Sequence, residues 1–201
     1  MKPITVTNSI ATLTAKPEIV ASESDKQLWK NYCDATDATA IYPEANTGSD
    51  IELAYLTMGL IGEIGEVGEI VAKETCGVVH GDLFAELGDC FWYLARLSKL
   101  SEFWLGKPVL PTPHAWISAT YAESIGALAN SAKKVIRDQC NPSKFLAHVQ
   151  TTADDLATLY KVEAQADDFW PALNADILQK NLDKLSSRAA RNTLKGDGDN
   201  R

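Results

Sequence analysis

The strongest constraint in this chain is a stripe: Leu53, Leu56, Leu60, Ile64, Val67 and Val71 recur at steps of three and four. At about 100° per residue these side chains fall on one narrow arc, which predicts a long helix over Asp50–Glu74 with a single core-facing side. Asp50 stands where an N-cap is wanted. Glu63 and Glu66 border the stripe, and Gly59, Gly62, Gly65 and Gly68 form a ridge beside them. Each glycine costs a helix interior roughly 0.5–1 kcal/mol relative to alanine. Something must offset that cost, and the natural candidate is close approach by another element, or by a ligand, to the face of Glu63 and Glu66.

A second long helix is expected from Asp82 to Leu105. It carries a polar stripe, Asp82, Glu86, Asp89, Tyr93 and Arg96, and an apolar face of Leu83, Leu87, Phe91, Leu94 and Leu97 or Ser98. Further helical periodicity covers Asp25–Thr39, His114–Gln139, Ser143–Gln165 and Pro171–Ala190, the last with Pro171 in its first turn. No set of strands emerges, so the expected class is all-α, an antiparallel helical bundle. Residues 1–25 read as a leader and residues 26–190 as one domain. Its halves, about 26–105 and 114–190, are joined by a Pro-rich connection at 106–113, and 191–201 form a tail.

The chain has 201 residues, 45% of them apolar and 23% charged, enough to build a core. Its net charge of −8 has the wrong sign for a broad nucleic-acid surface, so a polymer partner is not expected. The charge is uneven: residues 180–201 hold six basic and three acidic residues, a net of +3 on an otherwise acidic body. Cys33, Cys76, Cys90 and Cys140 make no C-x-x-C pair, which favours reduced thiols over a zinc or redox motif. The apolar runs are broken well before the ~18 residues of a membrane span, and Ile4–Leu13 is too polar for a signal peptide. A cytoplasmic protein without a membrane partner is the expectation.

Packed antiparallel, the two long helices would gather Glu63, Glu66, Glu86 and Asp89 around one volume. One pair of helical carboxylates is more simply a solvated acidic face. Two i, i+3 pairs, each beside an apolar stripe and one beside a glycine ridge, point instead to a divalent cation with hard-oxygen preference, Mg²⁺ or Mn²⁺. A di-iron bundle needs Glu-x-x-His pairs, and His80, His114 and His148 follow Gly77, Pro111 and Phe145 at that spacing.

Gly59-Leu60-Ile61-Gly62-Glu63-Ile64-Gly65-Glu66-Val67, with 19 residues between Glu66 and Glu86 and then Glu86-Leu87-Gly88-Asp89-Cys90-Phe91-Trp92-Tyr93-Leu94, resembles the E-x-x-E, E-x-x-D signature of the MazG-like all-α nucleoside triphosphate pyrophosphohydrolases. Asn181-Leu182-Asp183-Lys184-Leu185 with Arg188, and the ending Gly196–Arg201, are similar to the C-terminus of phage and bacterial members. The resemblance implies that the four acidic residues bind Mg²⁺ and that the α–β phosphoanhydride of a nucleotide is cleaved to a monophosphate and pyrophosphate. By position, Glu63 is the carboxylate to orient or deprotonate water, with Glu66, Glu86 and Asp89 as metal ligands and Glu69 as an auxiliary.

Phosphate oxygens need cationic donors, and Lys184 and Arg188 share a helical face with Asn181. Lys73, Lys133, Lys134 and Arg137 are second-rank candidates, and Tyr93 is placed to stack on or hydrogen-bond the nucleoside, ahead of Trp92 and Tyr55. A shift of 64 residues aligns Ile61, Gly62, Val71 and Cys76 with Ile125, Gly126, Val135 and Cys140. A duplicated second half would have replaced Glu63, Glu66 and Glu69 with Ala127, Asn130 and Lys133, leaving Asn130 and Lys133 to face a nucleotide. Dimeric dUTPases resemble such a half-degenerate arrangement, so dUTP hydrolysis is the nearest alternative. A non-enzymatic helical interaction protein with an acidic metal-binding stripe is the alternative of another class. The apolar faces of two half-bundles point to at least a homodimer.

Overall fold

A computed structural model describes residues 21–75 and 83–193, and among them the chain is all-α, with no strand. α1 spans Glu23–Ala35 and runs into a 3₁₀ turn at Thr36–Thr39. The two long helices are α2, Asp50–Thr75, and α3, Leu83–Leu105. α4 spans Tyr121–Asp138 and α5 Ser143–Glu163. The last helical stretch is α6, Phe169–Leu173, a π-helical turn at Asn174–Leu178, and α7, Gln179–Ala190.

The predicted stripe is the core. Leu53, Leu56, Leu60, Ile64 and Val67 are fully buried, and Val71 is half-buried at the far end. α2 packs on α3 and α4, and α5 packs on α4 and α3, while α1, the π turn and α7 cover the remaining side of α3. α3 is therefore enclosed from several directions. That explains why its buried set, from Leu87 through Phe91, Trp92 and Leu94 to Leu100, goes well beyond one face.

Three expectations are corrected. The cap of α2 is Ser49, whose hydroxyl accepts from the Glu52 N–H at 3.2 Å, and Asp50 is already helical. The helix expected from His114 begins at Tyr121, where Thr120 and Glu123 form a capping box. Before it, the connection stays irregular because α5 side chains take its backbone donors. The Thr112 N–H donates to Asp154, that of His114 to Thr158, and those of Ser118 and Ala119 to Asp155. With these groups satisfied, residues 112–119 need no helix. Finally, Arg96 does not join the acidic stripe. It is 1% exposed and donates to Tyr42, Thr36, Asp37 and Asn46.

The glycine ridge divides in two. A Cβ at Gly59 would lie 2.2 Å from the Tyr93 ring, and one at Gly68 would lie 3.3 Å from Tyr121, whereas one at Gly62 or Gly65 would meet no other described residue within 4 Å. Gly59→Ala is expected to lower stability by about 1–3 kcal/mol, through displacement of the Tyr93 ring. Gly62→Ala and Gly65→Ala should each raise it by roughly 0.5–1 kcal/mol. Urea midpoints of the three variants check this, and equal effects at Gly59 and Gly62 would contradict the packing.

Candidate metal centre

α2 and α3 meet in antiparallel register, and the Gly59–Tyr93 approach sets their separation. One turn away from that contact, Glu63 on α2 reaches Asp89 and Glu86 on α3. One carboxylate oxygen from each of Glu63, Glu86 and Asp89 lies within 4.8 Å of the others, and all three side chains are half-buried. Burial, then the charges of Asp89, Glu66 and Glu86, push the Glu63 carboxyl up to about 8, with Lys184 pulling the other way. Glu66 is exposed, one turn along α2 from Glu63.

Asp89 is tied to α7. Its Oδ1 accepts from Asn181 Nδ2 at 2.7 Å and its Oδ2 from Lys184 Nζ at 2.5 Å. Asn181 is itself oriented, because its Oδ1 accepts from the buried Tyr32 hydroxyl of α1 at 3.1 Å. α7 can seat this closely because α3 has Gly88 beneath it: a Cβ there would lie 3.3 Å from that of Asn181. Tyr32 is not among the site residues expected from the sequence. The available signal was a phenol on a helix face otherwise buried, since a buried hydroxyl needs a partner.

The donor set suits a hard divalent cation. Oxygens bound to one Mg²⁺ at about 2.0–2.1 Å are at most about 4.2 Å apart, and Ca²⁺ allows about 5 Å. A spread of 4.8 Å is brought to either by small side-chain rotations. Three ionised carboxylates at this spacing repel strongly, and a divalent cation removes that repulsion.

The remaining expected residues are dispersed. Lys73 pairs with Glu69 on the outer surface of α2. Asn130, Lys133, Lys134 and Arg137 are exposed on α4, and Arg137 pairs with its neighbour Asp138. Arg188 lies one turn beyond Lys184 and is 5% exposed. Tyr93 is packed against Gly59, with Trp92 edge-on at 5.0 Å and Tyr55 at 6.3 Å, and Tyr55 stacks on Tyr42 at 4.7 Å. Asp82, Cys76, His80 and the Gly196–Arg201 ending lie outside the described residues.

A carboxyl raised from 4.5 to about 8 on folding binds more protons in the folded chain than in the unfolded one. Metal-free stability should therefore fall as pH rises through that window. Glu63→Gln, which removes the charge and keeps the shape, should raise the metal-free melting temperature at pH 8 by roughly 4–8 °C, on the order of 2 kcal/mol. Millimolar Mg²⁺ should stabilise the wild type more at pH 8 than at pH 5, because ligands bind deprotonated. Thermal melts in chelator and in Mg²⁺ check both, and a wild-type curve identical to that of the variant at every pH contradicts the crowding.

No family model matches the chain, and no solved structure matches it. Over 79 residues it is 45% identical to the "Gene 37 protein" of Mycobacterium phage L5, a match that spans 35% of this chain and 69% of that protein. The chain belongs to the same family as this phage protein.

Proposed function

We propose that this protein is a divalent-metal-dependent nucleoside triphosphate pyrophosphohydrolase, which converts a (deoxy)nucleoside triphosphate to the monophosphate and pyrophosphate in the cytoplasm. The observation that carries the reading is the convergence of Glu63, Glu86 and Asp89 beneath Asn181 and Lys184. A triphosphate carries about four negative charges and would be repelled by a bare carboxylate nest. Mg²⁺, or Mn²⁺ in its place, held by Glu63, Glu86 and Asp89 with Glu66 beside them, would neutralise the phosphates and make water a better nucleophile.

The chain's own groups then have distinct tasks. Glu63 orients the water and takes its proton as the new bond forms at the α-phosphorus, and pyrophosphate leaves with the electrons of the broken bond. Lys184 exchanges Asp89 for a phosphate oxygen, and Asn181, steadied by Tyr32, keeps the Asp89 carboxylate in place as it does so. Arg188 is the further cation on the same helix. Ile51, Tyr55 and Met58 form an exposed stripe along α2, which supports the expectation of at least a homodimer.

Incubation with the eight common NTPs and dNTPs, with dUTP added, and with Mg²⁺ should release pyrophosphate and a monophosphate. Glu63→Gln and Asp89→Asn should each lower kcat by at least about 10²-fold with the helical circular dichroism retained. Lys184→Ala should mainly raise KM. A folded wild type that releases no pyrophosphate overturns the reading, and turnover confined to dUTP would identify a dUTPase instead.

A further inference from the structure

Directly beside the metal centre, a pocket of about 170 Å³ opens between α3 and the π turn. Phe84 and Gly88 line it from α3, Asp176 and Ile177 from the π turn, and Lys180 and Lys184 stand on its α7 side. It adjoins the carboxylate cluster: Gly88 precedes Asp89, and Asn181 and Lys184, which line the pocket, both bond Asp89. We propose that this pocket receives the nucleobase of the substrate, and that Asp176 selects guanine.

The size and walls suit a planar ring. A cavity of about 150 Å³ accommodates benzene, and the open mouth of this pocket leaves the second ring of a purine room toward solvent. Phe84 offers an aromatic wall and Ile177 an aliphatic one, the combination that holds a base by stacking regardless of its edge. The edge is then read by Asp176, whose carboxylate is held by the molecule's interior. Its Oδ2 accepts from the Tyr160 hydroxyl at 3.0 Å, and Tyr160 is fully buried. The ring of the same tyrosine lies edge-on to Phe84, with centroids 5.7 Å apart and planes at 66°. One buried side chain thus positions both the stacking wall and the acceptor, an arrangement that a merely solvated aspartate would not need.

An ionised carboxylate only accepts hydrogen bonds, so it favours the base with the most N–H donors on one edge. Guanine presents a ring N–H and an amino group side by side, matching two carboxylate oxygens. Cytosine and adenine present an amino group next to a ring acceptor, which the carboxylate repels. Uracil and thymine offer one N–H between two carbonyls. The expected order is guanine, then cytosine and adenine, then uracil and thymine. The π turn is what puts Asp176 here, consistent with the frequent use of such turns at functional sites.

This inference rests on the hydrolase reading for its substrate, and two readouts keep the two separable. With the full chain and Mg²⁺, kcat/KM for dGTP should exceed that for dTTP at least tenfold. Asp176→Asn should reduce that ratio at least tenfold. Tyr160→Phe, which frees the carboxylate but keeps the ring, should reduce it in the same direction, and it carries the test if Asp176→Asn does not fold. Calorimetric titration with dGMP and dTMP, which needs no turnover, should show tighter binding of dGMP by the wild type and loss of that difference in the variants. Equal binding of the two monophosphates, or a preference that both variants retain, overturns the pocket assignment. Absence of turnover with every nucleotide overturns the hydrolase instead, and the titration then judges the pocket by itself.

Discussion

The distance between α2 and α3 at Gly59 governs the rest of the molecule. With no side chain there, the Tyr93 ring lies against the α2 backbone, and the antiparallel register carries that closeness one turn on to Glu63 and Asp89. The carboxylates oppose the approach, since burial and mutual charge both penalise their ionised forms. The apolar stripe drives it: Leu56, Leu60 and Ile64 of α2 and Leu87, Phe91 and Leu94 of α3 are completely or almost completely buried, each contributing on the order of 1.5–3 kcal/mol. Hydrophobic burial thus holds an electrostatically unfavourable cluster in place, an arrangement that a bound cation would relieve.

A second pair of buried charges fixes the segment that leads into α2. Arg96 is surrounded by Asp37, Thr36, Tyr42 and Asn46. Glu52, 3% exposed, accepts from the backbone N–H groups of Asn46, Thr47 and Gly48 and from the Tyr42 hydroxyl. Tyr42 and Asn46 serve both charges, so cation and anion are satisfied in one network without direct contact. The network locks the 3₁₀ turn and the loop after it against α3, which keeps α1 in position.

The helices and the core stripe were legible in the sequence because they follow from period alone: Leu53 to Val67 are buried as spaced, and α2, α3 and α5 end within a few residues of expectation. Glu63, Glu86 and Asp89 were legible for the same reason, since i, i+3 spacing beside a stripe places side chains at a helix–helix seam. What periodicity does not encode is which groups outside a helix answer a buried polar atom. Arg96 follows the spacing of the acidic stripe, yet its partners come from a turn and loop 50 to 60 residues earlier. Residues 114–119 read as the start of a helix, but Asp154, Thr158 and Asp155 take the backbone donors of this stretch and of Thr112 before it. The pairing of Asn181 and Lys184 with Asp89 likewise depends on Gly88 and Tyr32, whose roles exist only once α1, α3 and α7 are packed.

Tyr32 and Asn181 are 149 positions apart, and their hydrogen bond is one link away from a proposed metal ligand. α2 and α3 both precede α7 in the chain, and the lysine and amide that steady Asp89 come from α7 alone. The Asp89 carboxylate has both of its partners only when α7 is docked. Asp89 thus links α1, α3 and α7 through one chain of hydrogen bonds, so any displacement of α7 reaches that carboxylate directly.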